Sequence, residues 1–244
     1  MSLVANTFSA FSGGGAGLIQ FPLLIFLGLT FTMALATHKV ASVALGLGAV
    51  IRYMASSHLE RHFILLILFF GLPGVIIGSR MVLFIPESIA IFALGVLTGS
   101  LGLYSIFKPT LGQDYKPKRR NVRGYILGGC ILFLLGVLNG SLTSGTGLFV
   151  TLWLVAWFGM DYQRAVAYTL ILVGLFWNGA GAITLGLLTD IRWDWLPALL
   201  LGSLFGGYLG SHLALKHGNT MIKRSFETVT ILISIKLIWT AISV

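Results

Sequence analysis

Carboxylates are scarce in this chain. Only seven Asp and Glu occur among 244 residues, and all charged residues together make 9%. Soluble domains average about 25%, so a soluble fold is excluded for the bulk of the chain. The seven acids, Glu60, Glu87, Asp114, Asp161, Asp190, Asp194 and Glu227, all lie in loops or near the ends of apolar stretches. None stands at mid-membrane, where proton-coupled carriers keep one. Carboxylate-based proton coupling is therefore not expected, although His38 leaves a titratable base near the site argued below. The single cysteine, Cys130, excludes an internal disulfide and any multi-cysteine metal site, and its apolar surroundings predict a packing role. Long polar runs are missing too: the longest, 108–123, is too short to fold alone. A cleavable leader is not expected, because Leu3 to Phe11 lacks a basic n-region.

What is present is apolar sequence, 57% of the chain. It falls into about eight segments, near 3–28, 32–57, 63–84, 86–107, 124–159, 163–188, 194–215 and 221–243. A membrane-spanning helix needs roughly 20 such residues. The reading is an all-α integral membrane protein, with the first and fifth segments interrupted by glycine. The net charge of +9 does not point to nucleic acid, since the cations sit where cytoplasmic anchors belong.

The two halves resemble each other. Gly14 to Gly28 matches Gly145 to Gly159 at a fixed offset, and Ala34 and Ala36 match Ala165 and Ala167. Gly74 to Ser79 matches Gly206 to Ser211, both with the Gly-xxx-Gly pattern of close helix contact. This divides the chain into a first transmembrane repeat (1–107), a basic cytoplasmic linker (108–123) and a second repeat (124–244), each repeat with four segments. Suppose each interrupted segment dips in and returns. The linker side then carries twelve Lys and Arg and the other side two, Arg80 and Arg192. Single crossings give nine against five. The positive-inside bias favours the re-entrant arrangement with the linker cytoplasmic, which makes the repeats inverted.

Paired helix breaks in two halves are the best sequence pointer to a transport site. The first break is Ser12-Gly13-Gly14-Gly15-Ala16-Gly17, followed by Gln20 and Pro22. The second is Thr143-Ser144-Gly145-Thr146-Gly147, with Asn139 and Ser141 a turn earlier. Orphan amides at the helix start after a break, with nearby hydroxyls, make an anion site. Thr37, His38 and Lys39 lie about two turns into the second segment. A cation there costs on the order of 3 kcal/mol on insertion scales unless it snorkels or faces a cavity. Thr169 stands in the equivalent stretch of the second half. Asn178 either faces the cavity or bridges helices, and Arg52 is an interface anchor or a gate cation. His58 and His62 have helical metal spacing around Glu60, but no third ligand follows, so no metal or cofactor is expected. No G-x-S-x-G elbow accompanies Ser12 or Ser144, and an enzyme is not expected.

These stretches, Ser12 to Pro22 with Leu23-Leu24 and Gly28, Ala34 to Lys39 leading to Arg52-Tyr53, and the second glycine motif leading to Ala165, resemble the TauE/SafE family of permeases. The resemblance spans nearly the whole chain. It implies a transporter of about eight helical segments for small anions, mostly sulfite and organosulfonates. Three features depart from the family pattern: a short first helix, Thr146 where glycine is common, and Trp153 opposite Pro22. The function expected is a permease or exporter in the cytoplasmic (inner) membrane of a prokaryote, working by alternating access. The alternatives are a passive anion channel or a carrier of a non-sulfur organic anion. The partners expected are the anionic substrate and membrane lipids, with a homodimer allowed.

Overall fold

A computed structural model describes residues 1–14, 17–53, 59–84, 86–142 and 145–242, without the side chains of Leu18, Ile19, Pro22, Phe26, Leu83, Glu87, Ala90 and Leu94. Among the described residues every regular element is helical. The first helices are α1 (Ser2–Ser12), α2 (Gly17–Phe26), α3 (Phe31–Tyr53), α4 (Arg61–Met81) and α5 (Glu87–Ile106). After the linker come α6 (Val122–Ser141) and α7 (Thr146–Phe158). A long helix follows, built from α8 (Tyr162–Tyr168), a π segment (Thr169–Trp177) and α9 (Asn178–Gly186). The last, α10 (Leu196–Ile242), is divided into two rods by Gly218, whose backbone is non-helical at φ 77° and ψ −178°.

Five stretches among the described residues are long and apolar enough to cross a membrane: Phe31–Tyr53, Arg61–Met81, Val122–Ser141, Tyr162–Gly186 and Trp193–Ile242. The outward faces carry exposed large apolar side chains, among them Leu65, Phe69, Leu134, Phe205 and Ile235. In a chain of such spans those faces meet lipid. Cys130 is one of the outward residues, contrary to the packing role its neighbours implied; an apolar run on a lipid-facing helix needs no interior.

Glycines set the closest helix contacts. Methyl groups at Gly74 and Gly78 of α4 would strike the carbonyls of Phe133 and Val137 on α6. At Gly206 and Gly210 of α10 they would strike the carbonyls of Leu3 and Thr7 on α1. Backbones this close gain dispersion and lose little side-chain entropy, which is how helices associate where no hydrophobic drive exists. Both Gly-xxx-Gly faces are thus used within the chain. Beside them, the Trp177 indole fills the space that Gly71 leaves open and donates to Ile67 O at 3.2 Å.

The short helices pack back along their neighbours. Trp157 Nε1 donates to Gly124 O at 3.0 Å and Trp153 Nε1 to Gly128 O at 3.2 Å, so α7 runs back antiparallel along α6. At the other end, Gln20 Nε2 of α2 donates to Ser2 Oγ of α1 at 3.0 Å, while Leu24 and Leu29 join Leu185 in one apolar cluster with Trp195. The α1–α2 pair therefore opens toward the end holding Trp195. The α6–α7 pair opens toward the linker, where Lys116 N donates to Gly159 O at 2.9 Å.

Candidate functional site

The first break exists because its backbone leaves the helical region. Gly13 has φ 97° and Gly14 φ 112°, values that cost an L-residue with a side chain about 1–2 kcal/mol. The second break ends at Gly145, φ 77°, and α7 begins at the next residue. The two breaks touch: a Cβ on Gly14 would lie 3.1 Å from Gly147 Cα and 3.2 Å from the Thr169 methyl.

A cavity of about 30 Å³ opens at this junction, more than the roughly 10–15 Å³ that one water requires. Its polar lining comes from Ser9, His38, Ser42, Asn139, Thr146, Thr169 and Asn178. Gly17, the first residue of α2, and Thr146 and Gly147, the first two of α7, also line it. Two helix N-termini thus converge on one polar space, and each brings the positive end of its dipole. The π segment supplies Thr169, Leu170, Val173 and Gly174 to the wall. Widened π turns are rare and gather at functional sites.

Lys39 is fully buried and does not snorkel. Its ammonium donates to Asn139 O at 2.8 Å, Asn139 Oδ1 at 3.0 Å and Asn178 Oδ1 at 3.3 Å. It therefore sits at the carbonyl end of α6, where a cation complements the negative dipole end. It does not line the cavity, but it fixes two side chains that do. Asn139 Nδ2 in turn donates to Thr146 Oγ1 at 2.8 Å. His38 is clamped, with Nδ1 2.9 Å from Gln20 Oε1 and Nε2 3.0 Å from Ser42 Oγ. The Thr151 hydroxyl donates to Gly13 O at 2.8 Å and lies 2.9 Å from Thr169 Oγ1, so α7 holds the first break directly.

Of the residues singled out in the sequence, Gly14, Gly17, His38, Asn139, Thr146, Gly147, Thr169 and Asn178 surround the cavity, and Asn178 also bridges to Lys39. Gly13, Gln20, Lys39 and Gly145 stand one contact behind it. Three hydroxyls are engaged elsewhere. Ser12 Oγ donates back to Phe8 O at 2.8 Å, Ser141 Oγ to Val137 O at 2.9 Å, and Thr37 Oγ1 accepts from Arg192 N at 3.0 Å. Gly15, Thr143 and Ser144 lie outside the described residues. Sequence reasoning missed Ser9, Ser42 and Thr151. Ser42 was findable, one helical turn from His38 on the same face; Thr151 was not, since its partners come from the first break and the π segment.

The linker end carries a second polar cluster. Glu60 accepts from Tyr115 Oη at 2.9 Å and from Arg120 Nη1 at 2.9 Å, and its backbone amide donates to Tyr168 Oη at 2.5 Å. Burial pushes the Glu60 carboxyl up, but the hydrogen bonds from Tyr115 and Arg120 and the charges of Arg120 and His62 outweigh it, and its pKa lies below the usual 4.5. Tyr168 immediately precedes Thr169 of the cavity wall, so this cluster anchors one end of that wall. His62 Nε2 lies 3.4 Å from Glu60 Oε2; His58 lies outside the described residues. No group of three potential metal ligands occurs among the described residues.

A bundle of apolar helices broken at a buried polar cavity has the form of a membrane transporter. The chain belongs to the sulfite exporter TauE/SafE family, whose sequence profile matches residues 1–237. It is 27% identical over 241 residues to a probable membrane transporter protein of Haemophilus influenzae, covering 98% of this chain and 92% of that protein. It is 25% identical to the probable membrane transporter protein YfcA of Escherichia coli, covering 98% and 87%. A probable membrane transporter protein of Bacillus subtilis, YunE, is 24% identical over 268 residues. No solved structure matches the chain.

Proposed function

We propose that this protein is a permease that moves small anions, of the sulfite or organosulfonate type, across the cytoplasmic membrane of a prokaryote. The observation that carries the reading is the meeting of the two glycine breaks at one polar cavity with two helix N-termini pointed into it. Amide dipoles and hydroxyls bind an oxyanion without a metal, and their low charge lets it leave again. The Lys39 charge is spent on Asn139 and Asn178, which keeps the anion from being trapped by a full ion pair. No catalytic role, metal or cofactor enters this reading.

The transport cycle follows from the two hairpins. In this reading α1–α2 and α6–α7 are re-entrant, entering from opposite faces, and 1–107 and 124–244 are inverted repeats joined by the cytoplasmic linker 108–123. The antiparallel return of α7 along α6 and the contact of Gln20 with Ser2 support it. Rocking one hairpin with its supporting helix against the other would open the cavity to each side in turn. A membrane potential contributes about 2.3 kcal/mol per charge per 100 mV toward anion export, roughly fifty-fold. Both Gly-xxx-Gly faces are occupied internally, so a homodimer would use another surface.

The test is ligand-induced thermal stabilisation of the detergent-purified protein with sulfite, sulfate, thiosulfate, sulfoacetate, taurine, lactate and chloride. Stabilisation by one sulfur anion, lost in Lys39→Ala, supports the reading. Stabilisation by lactate alone favours a non-sulfur organic anion, and no shift with any of them removes the sulfur-anion assignment. Saturation and counter-transport in liposomes separate a carrier from a passive channel.

A further inference from the structure

A larger groove, about 470 Å³, lies between α5, α6 and α7, away from the polar cavity. Its two ends differ. Leu101, Ile131 and Leu135 line the deep part, while Arg119 stands at the mouth with Trp153 and Trp157. The axis can be read from α6: Trp157 bonds to Gly124 in its first turn, Trp153 to Gly128, and Leu135 lies further along. From Gly124 to Leu135 the helix rises about 16 Å at 1.5 Å per residue. The groove is polar and cationic at the membrane surface and apolar toward the membrane interior.

Arg119 is held there at some cost. It is the one non-glycine residue with positive φ among those described, at 51°, a conformation that costs on the order of 1–3 kcal/mol. Its guanidinium lies 4.2 Å from the Trp157 ring centroid, and Nη1 donates to Trp157 O at 3.2 Å. The two tryptophans stack at 4.8 Å. Arg119 remains exposed, as do Lys118 and Arg123 near it in sequence. No carboxylate lines the groove among the described residues, so nothing in the groove itself neutralises those cations.

We infer that this groove binds an anionic phospholipid, with one acyl chain between α5, α6 and α7 and the phosphate against Arg119. Tryptophans at the mouth suit the headgroup level, where amphipathic rings settle. The lipid thereby braces α7, the helix whose other end forms the cavity. The inference is independent of which anion is carried.

The experiment is native mass spectrometry and thermal unfolding of delipidated full-length protein in detergent. The additions are phosphatidylglycerol, phosphatidylcholine of the same chains, or inorganic phosphate. The wild type should bind and be stabilised by phosphatidylglycerol in preference to phosphatidylcholine. Arg119→Gln, an exposed position, should cut that preference about fivefold, one cation's worth near an anionic surface. Ile131→Trp, which fills the groove, should weaken both lipids. Equal binding of the two lipids, or an unchanged preference in Arg119→Gln, overturns the inference. So does displacement of phosphatidylglycerol by millimolar phosphate, which would mark a simple anion site. Dimers lost in Ile131→Trp would identify the groove as a contact between copies and overturn it as well.

Discussion

Lys39 grips Asn139 twice, once at the backbone carbonyl and once at the side-chain oxygen. One ammonium thus ties the third helix to the end of the sixth, 100 residues away, and sets the Asn139 amide that faces Thr146. Lys39→Met keeps the stem that packs on Gly181 and removes the charge. It leaves three oxygens without their donor, at about 1–3 kcal/mol each where water cannot replace it. The expected result is a protein that inserts but melts earlier and binds the proposed anion at least about tenfold more weakly, a loss of 1.4 kcal/mol. Ligand-induced shifts in thermal unfolding measure both effects, and wild-type binding in Lys39→Met would remove Lys39 from the site.

Gly14→Leu and Gly28→Ala separate backbone strain from crowding. Both glycines have positive φ, 112° and 95°, so each substitution costs about 1–2 kcal/mol from the backbone alone. Only Gly14 faces another backbone; Gly28 has nothing within 4 Å. Gly14→Leu should abolish transport in proteoliposomes, whereas Gly28→Ala should lose some stability and keep transport. Full activity in Gly14→Leu would refute the broken-helix site.

Thr151→Val removes the hydroxyl that joins Gly13 to Thr169. The buried Gly13 carbonyl loses its bond at a cost of about 1 kcal/mol. Thr151→Ser keeps the hydroxyl and should restore both melting temperature and uptake. Equal values for Val and Ser would show that the methyl, not the hydroxyl, matters.

Glu60 gives the protein an acid-sensitive latch. Its folded-state pKa is depressed below 4.5, so the stabilisation it contributes is full above that value and fades as pH falls through the folded pKa. Between pH 7 and pH 3.5 the wild type should lose more thermal stability than Glu60→Gln. Parallel pH profiles for the two proteins would show that the pairing with Arg120 and Tyr115 contributes nothing.

The all-helical membrane character was legible because apolar runs of membrane length have few other fates, although five stretches of spanning length stand among the described residues where about eight segments were expected. The breaks at Gly13–Gly14 and Gly145 were legible because glycine in that setting has a conformational reason. Lys39 announced itself by its cost, but its acceptors did not: Asn139 and Asn178 lie 100 and 139 residues on, and only tertiary packing brings them together. The engagement of Ser12 and Ser141 with their own helices was hidden for the opposite reason, since a hydroxyl near a break serves the backbone as readily as a ligand. The π turn at Thr169 carries no composition signal.

The contact of α1 with α10 also bears on how the chain is made. Asn6 bonds to Ser203, 197 residues later, so α1 waits for that much further synthesis to find its partner. At about 5–20 residues per second that is roughly 10–40 s in the bilayer. During that interval the Asn6 amide has local acceptors at Ser2, in the carbonyl at 2.8 Å and the hydroxyl at 3.2 Å. A helix so equipped can idle in lipid without an orphaned donor until translation delivers the surface it was shaped to meet.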